Sequence, residues 1–364
     1  MTTIRPESSD SARARIVGAF SPVVRAGLVA ALFAAPLFAQ SRYATQVVNF
    51  TPGPFTGPPF DDPLHALGGP TGGGLLTGSL DVVTLGIGGS LTLGFDRTIT
   101  DGPGADFTVF ENAIGVQSEA YLTVYSEVVF VEVSTNGVDW ARFPVDYEGP
   151  NATTGQYNGM RWGTYARMAG DVPTASNVLT NGIDPFDPVV SGGNAFDLRD
   201  LEQDPAVVAG KVNLRRIHFV RLVDCENGMW VDVEGETIWD NGGLTGSADI
   251  DAVAVLNDTQ IVNPHQPETD LWKDFLGHVH LSFSDPDGLW NLDPVTAAFS
   301  YNLNYVSIPD LLYFGIFRIE AITPNGIELK TPFTAQELGY TSVFAASVTD
   351  LAGNRSVDQI AVQP

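Results

Sequence analysis

Two acidic residues occupy strand-like segments in which alternate side chains are apolar. Glu111 shares a strand face with Phe107 and Val109, and Asp251 shares one with Val253 and Val255. If those faces are the core faces, both carboxylates point inward at the ends of strands, where an unpaired charge is costly. A hard cation would offset this cost, because Ca²⁺ takes six to eight oxygen ligands. The sequence therefore predicts a Ca²⁺ site formed by Glu111 and Asp251, with Asn112 and Asp249 as helpers.

Other arrangements would also satisfy the two acids. Backbone N–H groups, an arginine such as Arg221, or burial of the opposite strand face would each do so. The Asp-x-Asp-x-Asp-Gly pattern of calcium loops is absent from the sequence. A second acidic segment, 232–243, is either a cation site or a solvated loop, and the solvated loop is favoured because charge runs usually face water.

Aromatic residues are concentrated in two loop regions, 147–191 and 226–248. Aromatic faces beside polar groups can hold sugar rings, and loops on a rigid sandwich often form recognition surfaces. The candidate ligand-binding residues are Tyr157, Trp162, Tyr165, Trp230 and Trp239. The alternative is that these rings pack against their own loops, since aromatic side chains bury large areas.

The elements that position these residues are predicted to be strands. Alternation is common along the chain and helical periodicity is scarce; in the segment 90–96, for example, Leu91, Leu93 and Phe95 share one face. Asn136-Gly137 is a type I′ hairpin signal. Short strands separated by Gly/Pro loops predict an all-β fold of sandwich type.

A boundary is expected where a predicted strand ends near residue 256 and Pro-punctuated sequence follows. We predict a jelly-roll domain over 40–258, a linker over 259–267 and an immunoglobulin-like domain over 268–364. The last segment has about the length of one immunoglobulin-like domain.

Composition excludes several classes of protein. The chain has 364 residues, with 18 Lys+Arg against 43 Asp+Glu and a formal net charge of −25. Nucleic acids and anionic membrane surfaces require a basic footprint, so neither is an expected partner. Hydrophobic residues make up 44% of the chain, enough to build a core, and the single cysteine, Cys225, excludes an internal disulfide.

Residues 1–39 are predicted to be a secretory signal peptide. Arg13, Arg15 and Arg25 precede the apolar run 26–38, and the small residue Ala39 suits cleavage before Gln40. The run is too short to span a bilayer comfortably, although an uncleaved anchor is the alternative. We therefore expect an exported protein, extracellular, at the cell surface or periplasmic, with no membrane span after cleavage.

Several ordered motifs carry a resemblance to a known family. They are 67–74, 83–96, 101–112, 131–140, 192–198, 212–221 and 249–255. Together they resemble a largely uncharacterised family of bacterial secreted or cell-surface proteins with a jelly-roll, galactose-binding-like domain. The resemblance covers about residues 45–257 and implies an exported β-sandwich without an established reaction. The family pattern favours Asp where Asn194 stands, and the segments 284–288 and 348–355 resemble bacterial immunoglobulin-like modules.

The expected function is non-catalytic binding, with a glycan as ligand class and a structural calcium site. A polysaccharide-acting hydrolase or lyase, with Asp or Glu as acid/base, is the alternative, and a structural surface or adhesion protein is the third. A deep cleft with paired carboxylates favours the enzyme, and a shallow aromatic groove favours the binder. The absence of both features favours the structural protein.

Overall fold

Antiparallel strands dominate the chain in the computed structural model. It describes residues 41–117, 122–151, 159–243, 246–260 and 264–364. The predicted signal peptide, 1–39, and Tyr157 lie outside these described residues.

The first part of the fold is a sandwich of two antiparallel sheets. Its strands are β1 (Gln46–Thr51), β2 (Val83–Thr84), β3 (Ser90–Ile99), β4 (Phe107–Glu111), β5 (Ile114–Gln117), β6 (Leu122–Tyr125), β7 (Val129–Ser134), β8 (Ala141–Arg142), β9 (Asp146–Tyr147), β10 (Tyr165–Ala166), β11 (Asn194–Phe196), β12 (Ile217–Asp224) and β13 (Asp249–Val255). A five-stranded sheet, β1-β3-β12-β7-β8, packs against a four-stranded sheet, β11-β4-β13-β2. The pairs β5-β6 and β9-β10 form two small ribbons.

Alternation in the strands builds the core between these two sheets. Leu91 and Leu93 of β3 are fully buried, and Phe95 packs against the same cluster. Val109 of β4 and Val253 of β13 are paired and contribute from the opposite sheet. Removing these side chains from water is the main source of stability for such a sandwich. The predicted all-β fold is confirmed.

The hairpin predicted at Asn136-Gly137 forms with a different turn. Strand β7 pairs with β8 as expected, but the connection is longer than two residues. Gly137 has a φ of 74°, whereas Asn136 is not left-handed, so the turn is not type I′. The Asn136 side chain instead accepts hydrogen bonds from the amides of Val138 and Asp139, both at 2.9 Å. This Asx-type turn widens the loop.

A second sandwich follows. Its strands are β14 (Glu268–Lys273), β15 (His278–Ser284), β16 (Leu292–Tyr301), β17 (Asn304–Ser307), β18 (Arg318–Ile322), β19 (Gly326–Thr334), β20 (Ser342–Asp350) and β21 (Arg355–Val362). The sheets β14-β15-β19-β18 and β17-β16-β20-β21 enclose a separate core. In this core the Phe299 ring meets the Phe317 and Phe344 rings edge to face, at centroid distances of 5.5 and 5.4 Å.

In the described ranges, helices are short connections between strands. The α-helices are α1 (Pro188–Ser191), α2 (Pro205–Val208), α3 (Ile308–Tyr313) and α4 (Ala335–Leu338), and the 3₁₀ turns are Pro63–Ala66, Leu198–Leu201 and Leu289–Asn291. Within the described ranges, no helix has the length and apolar character needed to cross a membrane.

The two sandwiches contact each other along β21. The amide of Ala105 donates to the Val357 carbonyl at 2.9 Å. The Gln359 side chain accepts from the amide of Ala195 at 2.8 Å and donates to the Gly193 carbonyl at 3.3 Å. Each sandwich keeps its own hydrophobic core beside these polar contacts. Independent folding of 268–364 stays a prediction.

Buried aspartates hold several loops of the first sandwich. Asp171 is 1% exposed, and its carboxylate accepts from Asn194 Nδ2 at 2.6 Å and from the amide of Gly163 at 3.1 Å. Burial is the largest influence on this group and raises its pKa to about 6, although hydrogen bonds act in the opposite direction. The folded state therefore favours the neutral form of Asp171.

We predict that Asp171 makes stability depend on pH. Because its folded pKa is raised, the folded chain binds more protons than the unfolded chain between about pH 4 and pH 6. Its contribution to the free energy of unfolding should fall by about 3 kcal/mol as pH rises through that window, and then level off. Urea unfolding of wild type and Asp171→Asn at a series of pH values measures this, because wild type should lose stability relative to the non-titrating variant as pH rises. A difference that does not change with pH would contradict the prediction.

Candidate functional site

Glu111 ends β4 on the face that forms the core. It lies on the same side as Phe107 and Val109, and its backbone position pairs with the buried Ile250 of β13. The side chain is 2% exposed. Alternation along β4 thus places Glu111 inward, as predicted from the sequence.

Only one oxygen of this carboxylate has a hydrogen-bond partner within the described part of the chain. Oε1 accepts from the amide of Asp249 at 3.1 Å, while the buried Oε2 has no partner. Burial raises the pKa of Glu111 well above its ordinary value, and the charges of Asp249 and Glu127 raise it further. Leaving a buried acceptor unsatisfied costs about 1–3 kcal/mol, and more when it is charged. Oε2 is therefore a buried acceptor without a hydrogen-bond donor in the described structure.

Asp249 and Asn112 lie beside Glu111. The amide of Asn112 donates to the Asp249 carbonyl at 3.0 Å. The Asp249 carboxylate accepts from the hydroxyl of Thr84, and the Asn112 side chain exchanges hydrogen bonds with the backbone of Ser79. Burial raises the pKa of Asp249. Three of the four predicted metal-binding residues are thus adjacent.

Asp251 is directed elsewhere because of a β-bulge. The pairing of β13 with β4 shifts between Ile250 and Ala252, so Ile250 takes the core position that simple alternation assigns to Asp251. The two carboxylate oxygens of Asp251 each accept from the amide of Thr71 at 3.0 Å. Hydrogen bonds through Thr71 and Ser79 connect Asp251 with Asn112.

Glu127 is a member of this acidic group that the sequence interpretation missed. It precedes β7 and has the same parity as the core residues Val129 and Val131, so the alternation rule that identified Glu111 would also have identified Glu127. Its Oε1 accepts from the hydroxyl of Tyr125 at 3.2 Å. Burial, followed by the charges of Asp249 and Asp240, raises its pKa to about 8.

Asp240 brings the second acidic segment to the same place. It is 3% exposed, and burial, followed by the charge of Asp224, raises its pKa to about 8. Glu234 and Glu236 of the same segment are exposed, as expected for a solvated loop. The segment is therefore exposed at 233–236 and buried at Asp232 and at Asp240.

Glycines bring the loop close to Glu127. A Cβ on Gly246 would come within 1.9 Å of Glu127 Oε1, and one on Gly242 within 3.0 Å of the same atom. The amide of Gly246 also donates to the Gly242 carbonyl at 2.8 Å, which holds this turn together. The carboxylate of Glu127 thus lies against loop backbone that only glycine accommodates.

Arg221, the basic partner considered from the sequence, does not reach these acids. Its guanidinium pairs with Glu132 and lies 4.0 Å from the ring centroid of Trp140. The charges that shift the pKa of Glu127 are all acidic: Asp249, Asp240 and Asp224.

The predicted ligand-binding aromatics divide into two groups. Trp162 and Tyr165 are each 1% exposed and pack in the interior, and the Tyr165 hydroxyl donates to the Trp239 carbonyl at 2.7 Å. Trp230 and Trp239 are half-buried on the loop that carries Asp240. The indole N–H of Trp230 is buried and has no hydrogen-bond partner among the described residues.

No family model matches this chain. A search of curated proteins gives no match either.

Acids from three parts of the first sandwich influence one another electrostatically: Glu111 on β4, Glu127 before β7 and Asp249 at the start of β13. Asp240, from the loop before β13, acts on Glu127. Oxygen donors of this kind suit a hard divalent cation, and the acidity of the chain raises the local concentration of such ions.

We predict that Gly246→Ala destabilises the chain by about 1–3 kcal/mol, because the new methyl must displace Glu127 or the turn at Gly242. Urea unfolding measures the loss. Gly182→Ala is the control, since a Cβ there meets nothing within 4 Å. Equal stability of the Gly246→Ala variant and wild type would show that Glu127 does not rest on this turn.

Proposed function

We propose that this chain is an exported, non-catalytic binding protein whose first sandwich holds a structural calcium ion. The observation that carries the calcium proposal is Glu111, whose buried Oε2 lacks a hydrogen-bond donor in the described structure. Two further acids, Asp249 and Glu127, act on it electrostatically, and Asp240 acts in turn on Glu127. A divalent cation would offset their mutual repulsion and the cost of their burial.

The proposed site takes Glu111 with the neighbouring Asn112 and Asp249, and Glu127 and Asp240 are further acids in its electrostatic surroundings. Asp251 was predicted as a fourth ligand and connects to the site through Thr71 and Ser79. The predicted signal peptide supports export to a compartment in which calcium is abundant. The chain has a single cysteine and no internal disulfide, so a bound cation would supply stability in its place.

A glycan is the ligand class that we propose for the binding function. The half-buried Trp230 and Trp239 support it, because each stands on a loop at the end of a rigid sandwich. A calcium site of this type would equally serve a structural surface or adhesion protein. Binding to a glycan array, with calcium and with chelator, separates these two roles.

We expect calcium to raise the thermal midpoint of the exported protein. At about 100 times the dissociation constant, a ligand that binds only the folded state adds roughly 2.7 kcal/mol. For a chain of this size that corresponds to about 5–10 °C. Glu111→Gln keeps the shape of the side chain but removes its charge, so the calcium-dependent shift should disappear.

Two comparisons make this test specific. Asp251→Asn should retain the shift if its carboxylate serves only Thr71, and should reduce it if Asp251 is a ligand. Asp61→Asn, an exposed position, is the control. Wild-type protein without bound metal by elemental analysis, and with a midpoint insensitive to calcium, would refute the calcium proposal.

A polysaccharide-acting hydrolase or lyase is the second candidate, supported by the cleft between the two sandwiches. This cavity of about 280 Å³ is lined by residues of both, including Asp197, Asp200, Asp270 and Asp358. Burial raises the pKa of Asp197 to about 7, which suits proton transfer at neutral pH.

Catalysis in this cleft predicts release of reducing or unsaturated sugar ends from polysaccharides, and a loss of at least 100-fold in Asp197→Asn. Asp61→Asn should retain wild-type activity. Absence of release by wild type across a polysaccharide panel would leave the non-catalytic proposal standing.

A further inference from the structure

A polar cavity lies where the two sandwiches meet. This junction cavity has a volume of about 360 Å³ and shares no lining residue with the cleft that contains Asp197. Its size falls within the range of small-molecule sites, about 300–1,000 Å³. The first sandwich contributes Pro103, and the connecting segment contributes Pro264 and Gln266. The second sandwich contributes the other lining residues, which are Glu268, Ser284, Asp285, Pro286 and Asn325.

The side chain of Gln266 is buried in the wall of this cavity and has one unused polar atom. Gln266 is 2% exposed. Its Nε2 donates to Asn257 Oδ1 at 3.1 Å and to the Arg355 carbonyl at 3.2 Å, so the orientation of the amide is fixed. Its Oε1 is buried and accepts no hydrogen bond from the described residues. Because a buried acceptor without a donor is unfavourable, a donor group bound in the cavity would satisfy this oxygen.

Other polar side chains around the cavity also keep hydrogen-bonding capacity. Within the described ranges, the Ser284 hydroxyl and the Asn325 amide make no side-chain hydrogen bond. The Glu268 carboxylate is 42% exposed, and its ion pair with Arg199 is long, at 3.7 Å. None of the residues that line the cavity is basic. The set therefore offers donors and acceptors to a neutral ligand rich in hydroxyl groups, and it disfavours an anion.

Trp290 belongs to a turn that is tied to the residues lining the cavity. The amide of Gly288 donates to the Asp285 carbonyl at 3.0 Å, and the amide of Leu289 donates to the Pro324 carbonyl at 2.8 Å. Asp285 lines the cavity, as does the residue that follows Pro324. The backbone that carries Trp290 is thus fixed by the same two turns that form one side of the junction cavity.

The ring of Trp290 is both exposed and supported. Of the six tryptophans in the chain, Trp290 is the only exposed one, at 74%. A Cβ on Gly288 would lie 2.7 Å from Trp290 Nε1, so the indole rests against the backbone of its own turn. An exposed and supported aromatic ring close to polar side chains is suited to stacking on a sugar ring.

We propose that the junction cavity, together with Trp290, is a carbohydrate-binding site in which a sugar hydroxyl donates to Gln266 Oε1 and the indole stacks on a neighbouring sugar ring. This site uses neither the proposed calcium ion nor the loop that carries Trp230 and Trp239, so it goes beyond the function proposed above. Because residues of both sandwiches line the cavity, a sugar bound there would contact both.

Titration calorimetry of the exported chain in the presence of chelator tests this site, with di- and trisaccharides of glucose, galactose and N-acetylglucosamine as probes. At least one of them should bind. Trp290→Ala and Asn325→Ala should each weaken that binding at least fivefold, and both positions are exposed, so the variants should fold. Tyr313→Ala is the matched control, since Tyr313 is an exposed aromatic residue of the same sandwich that does not line the cavity.

Gln266→Met tests the buried oxygen itself. The change keeps nearly the same side-chain volume and removes Oε1, so binding should weaken at least tenfold. It also removes the two hydrogen bonds of Nε2, so its thermal midpoint is measured beside that of wild type.

Hydrogen–deuterium exchange of the wild-type chain locates the bound saccharide without any variant. The saccharide should slow amide exchange in the segments 284–288 and 323–326, and it should leave the segment 226–243 unchanged. Protection confined to 226–243 would overturn the junction site and leave the glycan proposal for Trp230 and Trp239 standing. Unchanged affinity in both Trp290→Ala and Asn325→Ala would also overturn it. If none of the saccharides binds, both glycan proposals are overturned, whereas the calcium proposal is unaffected.

Discussion

A carboxylate buried in a β-sandwich requires hydrogen-bond donors or a cation, because burial removes the water that would otherwise solvate its charge. This chain, with a net charge of −25, buries several such groups. Asp106 and Asp224 solve the problem with backbone amides of neighbouring loops: Asp106 accepts from Gly102 and Leu198, at 2.9 and 2.8 Å. The loops are thereby fixed in paths that point their N–H groups at the acids. At Glu111 one buried carboxylate oxygen has no donor within the described structure, and the same constraint there favours a cation.

The sequence predicted one half of this acidic group and missed the other for identifiable reasons. Alternation located Glu111, since β4 is regular up to its last residue. It misplaced Asp251 because a bulge in β13 inserts one residue, and a bulge leaves no clear trace in a pattern of apolar residues. Glu127 follows the same alternation but stands before the strand begins. Asp240 could not be assigned from its spacing, since its position depends on a loop path through Gly242 and Gly246.

The aromatic residues illustrate a similar limit. Composition identified loops rich in rings, but burial depends on tertiary packing. Trp162 packs with Val124 of the first sandwich and Val343 of the second, so its position follows from a contact between segments far apart in sequence. The polar contacts along β21 could not be predicted either, because Gln359 resembles any solvent-facing strand residue in the sequence. Only the structure shows that its side-chain amide bonds to the backbone of β11. The all-β architecture needed only local alternation and turn residues, and it was predictable for that reason.

The Gln359 contact also bears on how the chain avoids misassembly during synthesis. Strand β11 is at the edge of its sheet, and an edge with unpaired backbone N–H groups is a template for aggregation. The Gln359 side chain accepts a hydrogen bond from the amide of Ala195 on this edge, although it lies 164 residues further along the chain. During translation the first sandwich is complete long before β21 emerges, so the β11 edge is bare throughout that interval. Protection of this edge therefore depends on late-made residues, and the nascent chain is most exposed to intermolecular strand pairing just before they arrive.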